Sequence, residues 1–339
     1  MPARSYVAGN FQLVLDGVKT GFLKSVEGGG AVAEVISEPQ GSSPYFKKHI
    51  GPVGYEPFAL RFALSIANDV YDWINASWTG NYQRKNGAIV TTDQRLTAVS
   101  QREFFNALIT ETQIPALDGS SKEPGYLTIK FAPEYTRTSK ASGKVTGQTN
   151  SKQKLWLPSN FRVQIDGLDC TRVRSVESFT VKQSVATDDI GDARDFLKEP
   201  GKLEFPNLAI TVMESSAKSW FDWFESFVVK GNSEDKKEKN GSIALLSANL
   251  KEELLRVDLF NVGIFKIAQD TAEANSDRVA SVTAHLYCER MELHVPKAEE
   301  PNQAIRRSKV KGQTSKVRAR VTRPRSNAKG TRARQLKSK

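Results

Sequence analysis

Cysteine and histidine are scarce in this chain of 339 residues. The two cysteines, Cys170 and Cys288, are too few for a disulfide framework, and three histidines leave few metal ligands. His285 lies three residues before Cys288 in an apparent strand, which places the two side chains on opposite faces. We therefore expect no metal and no cofactor.

Long apolar runs are also missing. No stretch approaches the roughly 18 residues that a membrane-spanning helix needs. The first residues, Met1 to Tyr6, show no signal-peptide core. We expect assembly in the cytoplasm and no membrane partner.

Acidic residues are absent from 305–339, which holds 14 lysines and arginines. Removing these 14 from the total of 49 leaves 35 basic against 38 acidic residues, so the rest of the chain is slightly acidic. The segment also lacks aromatic residues and is expected to be disordered from 297 onward. Nucleic acid phosphates and an acidic protein face are both open as its partner. The candidate binding residues are Arg306, Arg307, Lys309, Lys311, Lys316, Arg318, Arg320, Arg323, Arg325, Lys329, Arg332 and Arg334, followed by Lys337 and Lys339.

Catalytic motifs are missing as well. The glycine cluster at 28–30 has neither a following Gly-Lys-Ser/Thr nor a GxGxxG pattern, so it is interpreted as a turn or bulge. Asp188, Asp189, Asp192 and Asp195 lack the spacing of a calcium loop and are interpreted as a solvated acidic loop. No enzyme activity is predicted.

The first half of the chain recurs in the second half, 150 positions later. From residue 10 to residue 74 there are 17 identical pairs in 65 positions without a gap, where chance gives about 4. Asp16-Gly17 recurs as Asp166-Gly167, and Trp73 recurs as Trp223. Two copies of one domain indicate a ring or tube wall more than a single catalytic cleft.

Each copy begins with alternating apolar residues and an Asp-Gly pair, which predicts a strand and a hairpin. Between later strands, 39–57 and 187–206 are expected to be long irregular loops, a class that is often functional. The predicted strands after the first hairpin turn are 21–27, 32–38, 58–64 and 126–131 in the first copy and 171–177, 180–185, 208–212 and 279–286 in the second.

One amphipathic helix is predicted in each copy. Apolar residues recur at helical spacing from Val70 to Trp78 and from Trp220 to Val228. Asn68 and Ser215 or Ser216 are the expected N-caps. After the helix the offset grows to 155, so that Phe105-Asn106 matches Phe260-Asn261, and a polar loop at 231–241 accommodates the difference.

These patterns predict a mainly β fold, with two tandem antiparallel β-barrel or sandwich domains, each flanked by one helix. The expected organisation is domain 1 at 1–135, a flexible linker at 136–157, domain 2 at 158–296 and a basic tail at 297–339.

The repeated residues resemble the tail tube protein family of contractile phage tails and contractile injection systems. The resemblance covers about 270 of the 339 residues. The segments that carry it are Asn10 to Gly28, Lys47 to Gly51, Tyr55-Glu56 and Tyr71 to Ile74, then Asn160 to Leu168, Ser175 to Glu177 and Phe221 to Phe224.

The resemblance implies a small β-barrel with a flanking helix. Six such units form a ring around a channel, rings stack into a tube inside a sheath, and the long loops contact neighbours. An ordinary tube subunit has one such domain, so this chain is expected to be either a tube protein or a tube-initiating or adaptor component. Three chains give six barrels, whereas six chains give a double-layered ring, and both remain open. The alternative is a nucleic-acid-binding protein that acts through its basic tail.

Overall fold

The computed structural model describes residues 9–42, 44–146, 156–188, 197–269 and 280–296. The first repeat contains eleven strands and one helix in this range. They are β1 (Asn10–Leu15), β2 (Val18–Leu23), β3 (Ser25–Gly28), β4 (Ala31–Pro39), β5 (Phe46–Tyr55), β6 (Phe58–Phe62), α1 (Asn68–Trp78), β7 (Lys85–Thr92), β8 (Ala98–Ile114), β9 (Leu117–Asp118), β10 (Leu127–Ala132) and β11 (Tyr135–Lys140).

The second repeat follows the same order. Its elements are β12 (Phe161–Ile165), β13 (Val173–Val176), β14 (Phe179–Asp188), β15 (Leu197–Glu204), β16 (Leu208–Met213), α2 (Lys218–Phe224), β17 (Lys239–Leu246), β18 (Glu253–Gln269) and β19 (Ser281–His294). All strand pairs in the described ranges are antiparallel. The predicted fold class, mainly β with one flanking helix per repeat, is confirmed.

The helices supply the large aromatic side chains of the core, as the helical spacing predicted. Trp73 and Trp78 of α1 and Trp220 of α2 are almost fully buried. Trp73 packs on Phe131 with ring centroids 5.4 Å apart. The apolar face of each helix therefore packs into the core of its repeat.

The predicted helix N-caps are wrong. Ala67 precedes α1 and Ala217 precedes α2, and neither makes a side-chain cap. Asn68 is the first helical residue, while Ser215 and Ser216 belong to a short 3-10 turn before α2. Backbone hydrogen bonds set the start of each helix instead: Ala67 N–H donates to Thr20 O (2.8 Å) before α1, and Ala217 N–H donates to Glu214 O (3.0 Å) before α2.

The offset of 155 after the helix is confirmed by a repeated polar arrangement. β8 and β18 are the equivalent long strands. Each contains an asparagine with positive φ, Asn106 (49°) and Asn261 (52°). The Asn106 side-chain amide donates to Glu134 Oε2 at 2.6 Å, and that of Asn261 donates to Glu289 Oε2 at 2.8 Å.

The segments expected to be long irregular loops are mostly β-hairpins. In the first repeat, β5 returns along β4. In the second repeat, β15 returns along β14. Neither return strand has a clean apolar alternation, because much of each hairpin projects beyond the core of its own repeat and is exposed.

The Asp-Gly turn builds the predicted hairpin only in the first repeat. There Asp16 (φ 47°) and Gly17 (φ 82°) connect β1 to β2, which pair directly. In the second repeat the residues after Gly167 form turns, and β13 pairs with β16 and β9 instead of with β12. The expected return strand at 171–177 is therefore shortened and redirected.

The region expected to be a linker, 136–157, begins with strand. β11 pairs with β8, and Val145 and Trp156 are buried. Residues 147–155 lie outside the described ranges. Residues 9–296 belong to one compact unit that holds both repeats.

Candidate assembly interface

The residues predicted to bind phosphate or an acidic partner, Arg306 to Arg334, lie outside the described residues. Of the acidic cluster only Asp188 is described, at the end of β14. Within the described ranges, no three His, Cys, Asp or Glu side chains stand close enough to share a metal ion. None of the described helices has the length and apolarity to cross a membrane.

The feature that joins the repeats is strand addition. β8 pairs with β10 of its own repeat on one edge, and its last residues receive β14 of the second repeat on the other. We call β14 and β15 the docked hairpin. Its register on β8 is Phe179 with Ile114, Thr180 with Gln113, Val181 with Thr112 and Lys182 with Glu111.

Side chains seal this junction. Phe179, Val181 and Gln183 of the docked hairpin are buried, as are Thr112 and Ile114 of β8. Gln183 Oε1 also accepts a hydrogen bond from Ser77 Oγ of α1 at 2.7 Å. The first half of β14 is therefore part of the first repeat's core, although it belongs to the second repeat in sequence.

A polar cluster closes the far side of the junction. Glu134 is buried and accepts hydrogen bonds from the Asn106 side chain (2.6 Å) and the Lys198 backbone N–H (3.2 Å). Arg84 Nη2 donates to Lys198 O (2.9 Å) and to Glu199 Oε1 (2.7 Å). Burial lowers the pKa of Lys198, and the neighbouring Glu134 carboxylate acts in the opposite direction.

Two further contacts cross between the repeats. β9 pairs with β13, with Leu117 opposite Val176. At the end of α1, Asn75 Oδ1 accepts a hydrogen bond from the Leu293 backbone N–H at 3.0 Å. Within this chain, the first repeat thus receives a strand and the second repeat donates it.

Sequence reasoning identified β14 and the residues Phe105-Asn106 but not this junction. A strand was predicted at 180–185, within what the structure shows as β14. Nothing in the pattern named β8 as its partner, because strand pairing between repeats leaves no periodicity of its own.

The second repeat also carries an open cleft of about 790 Å³ along β12. In the first repeat β2 covers the corresponding edge of β1, whereas no strand in the described part of the chain covers that edge of β12. Polar side chains of the cleft are engaged with each other, as Arg256 Nε and Asp258 Oδ1 are 2.9 Å apart. Burial raises the pKa of the Cys170 thiol at its rim, so this thiol is less prone to form the reactive thiolate.

Comparison with known families decides what this duplicated module is. A family model described as T4-like virus tail tube protein gp19 matches residues 7–137 and, separately, residues 157–292. The chain belongs to the gp19 tail tube protein family. The two matched segments are the two structural repeats, so the tandem duplication predicted from sequence is confirmed. A chain of the gp19 family is a structural tail component, and this function is favoured over the nucleic-acid-binding alternative.

Solved structures similar to the chain include contractile injection system proteins. One is from the PVC sheath-tube complex in the extended state: 17% identity, 44% of this chain and 99% of that chain, TM-score 0.33. Another comes from the PVC sheath/tube terminator in the extended state. It is 18% identical, the match covers 41% of this chain and 99% of that chain, and the TM-score is 0.37. A third similar structure is that of Hcp1 from Flavobacterium johnsoniae. It is 14% identical, the match covers 40% of this chain and 94% of that chain, and the TM-score is 0.25. A comparison with curated proteins gave no match.

Proposed function

We propose that this gp19-family chain forms a ring by self-assembly, with three chains supplying six modules around a channel. The observation that carries the proposal is the junction within the chain, where one module adds a strand to the next. The same head-to-tail step repeated between chains produces a closed ring if the rotation closes. We propose modules at 1–135 and 158–296 and a role in structure instead of catalysis.

The doubled module favours a position at the start or end of a tube over its repeating wall. An assembly of this kind works in a virion tail or an extracellular injection particle, next to tube, sheath or baseplate proteins. The similar solved structures include an anti-feeding prophage tube-terminating cap and a baseplate, which is consistent with such positions.

Native mass spectrometry and cryo-electron microscopy of the purified chain, alone and with tail partners, test this proposal. We expect a particle of three 37.6 kDa chains with six similar modules around its axis. Six chains would indicate the double-layered alternative. Monomers in every condition would contradict the proposal.

We also propose that the basic segment at 305–339 docks on an acidic face of a partner tail protein. Its 14 cations without an acidic residue support electrostatic capture. Deleting 305–339 should leave ring formation intact and weaken partner binding most at low salt. If DNA binding falls instead, with a steep salt dependence in the full chain, nucleic acid is the partner.

A further inference from the structure

Among the described residues, the β4–β5 hairpin of the first repeat has no strand partner outside itself. We call β4 and β5 the free hairpin, since among the described residues these strands pair only with each other. Its exposed large apolar side chains are Val32 (54%), Val35 (60%), Ile36 (36%), Phe46 (62%) and Ile50 (75%). A cluster of this kind on a monomer surface marks a contact surface.

The docked hairpin shows what the equivalent surface does when it has a partner. Val181 is 2% exposed where it meets β8, whereas Ala31, its counterpart 150 residues earlier, is exposed. Gln183 is buried against α1, whereas its counterpart Ala33 remains half-buried. The two hairpins are the same element of the module, one with its partner and one without.

The second repeat has the matching edge, and no described strand occupies it. β18 corresponds to β8, and on the β17 side its pairing ends at Val262. From Gly263 to Gln269 it pairs only with β19 among the described residues. This is the stretch that in β8 receives the docked hairpin. An unpaired strand edge is a template for strand addition.

Apolar residues beside this edge are also uncovered. Phe265 lies on the edge itself and is 44% exposed. In the helical turn directly after α2, Val228 is exposed, whereas its counterpart Trp78 in α1 is almost fully buried. In the first repeat, this part of the helix packs against elements of the second repeat.

We propose that the free hairpin of one chain adds to the β18 edge of a second copy of this chain. The register follows from the internal junction: Val181 with Thr112 becomes Ala31 with Ile267, and Lys182 with Glu111 becomes Val32 with Lys266. A second copy is the occupant because donor and acceptor are counterparts of elements that already pair within one chain. The inference rests on the proposed ring and specifies its interface.

Gly28, Gly29 and Gly30 lie at the base of the free hairpin, where β3 leads into β4. Gly28 and Gly29 have positive φ (79° and 72°), and the corresponding residues of the docked hairpin, Ser178 and Phe179, are not glycine. Arg102 Nη1 donates to Gly28 O (2.8 Å) and Thr136 Oγ1 to Gly29 O (3.0 Å), which fix the base of the hairpin in the free chain.

Disulfide trapping tests the register in the full-length chain with Cys170→Ala and Cys288→Ala. One preparation carries Ala31→Cys and the other Ile267→Cys, and the two are mixed and oxidised gently. Opposed residues of antiparallel strands have Cβ atoms about 4.5–5.5 Å apart, within reach of a disulfide after slight adjustment. We expect a covalent dimer that contains one chain of each kind.

Two controls define the result. Val181→Cys with Thr112→Cys in one chain should form the equivalent bond internally. Val35→Cys mixed with Ile267→Cys should not cross-link, because Val35 lies about 13 Å further along the strand. Melting curves of each variant confirm folding.

The outcomes separate this inference from the ring itself. The inference is supported if native mass spectrometry shows oligomers and a disulfide forms between positions 31 and 267 but not between positions 35 and 267. Oligomers that cross-link equally at both, or at neither, overturn the interface and leave the ring standing. Monomers in every condition, with tail partners supplied, overturn both.

Discussion

The docked and free hairpins occupy equivalent places in the module and have different surroundings. The free hairpin follows β3 and the docked hairpin follows β13, the equivalent strand, and both are two-stranded and antiparallel. The docked one buries Phe179 and Val181 against a neighbouring module, while the free one exposes a row of apolar side chains. The element is therefore built to lie on another module, and its exposure in the first repeat reflects the absence of a neighbour.

The two ends of the chain are complementary for the same reason. The first repeat offers a donor hairpin, and the second offers a receiving strand edge beside α2. A contact between unlike surfaces is heterologous, and such contacts lead to rings or open filaments instead of twofold dimers. The comparison of the repeats can be tested at pairs of equivalent positions, one in each repeat.

The largest expected effect concerns the helix tryptophans. Trp73→Ala should reduce the free energy of unfolding by about 3–5 kcal/mol, since it leaves a cavity and an unpaired Gln83 carbonyl. Trp223→Ala should lie at the lower end of that range, because Trp223 is slightly more exposed and its indole N–H has no partner in the described residues. Denaturant unfolding of both variants checks this. If both variants unfolded at the same denaturant concentration as the unchanged chain, the two helices would lie outside the core.

Arginine substitution should distinguish the two hairpins in the isolated chain. Val181→Arg introduces an unpaired charge at a buried position and should cost about 3 kcal/mol or more. Ala31→Arg lies on an exposed strand and should change stability by less than about 0.5 kcal/mol. Denaturant unfolding at low protein concentration measures both variants. Equal losses of stability in the two would mean that the free hairpin is covered within one chain. Ala31→Arg should still reduce oligomer formation.

The bases of the hairpins should respond differently to alanine. A Cβ atom on Gly28 would lie 1.9 Å from Pro57 O, and the residue has positive φ. Gly28→Ala should therefore cost about 2 kcal/mol. Ser178→Ala, at the equivalent exposed position, should cost less than about 0.5 kcal/mol. Thermal melts of the pair, compared at one protein concentration, decide the point.

The smallest difference is expected at the repeated Asn–Glu contact. Glu134→Ala removes an acceptor of hydrogen bonds from Asn106 and from the Lys198 backbone and should cost about 1–2 kcal/mol. Glu289 is exposed and bonds to Asn261, so Glu289→Ala should cost less than about 0.5 kcal/mol. A larger cost at Glu289 would contradict the assignment of this side as open.

The sequence predicted those parts of the fold that depend on each module's own core. Trp73 and Trp220 mark the helices because burial imposes helical spacing, and the shift from 150 to 155 correctly matched residues of β8 with residues of β18. The predicted helix N-caps were wrong because backbone hydrogen bonds set those positions. β5 and β15 were predicted as loops because hairpins that reach beyond their own core need no apolar alternation.

The junction could not be predicted for a related reason. Thr112 and Val181 belong to different repeats, and their pairing depends on how two folded modules meet. The two-residue strand β9 is too short to leave a pattern at all. The basic residues 306–334 were found by composition, and their partner stays a prediction.

The covalent continuity of the two repeats has a kinetic consequence. A contact made inside one polypeptide forms at a high effective concentration and needs no collision between molecules. Every newly folded chain would already contain one joint at any dilution, so three chains together would bring three of the six joints of a six-module circle. Closing such a circle then requires three joints between chains instead of six, so it should begin at concentrations where single-module subunits remain apart. A fused pair is well suited to seeding growth.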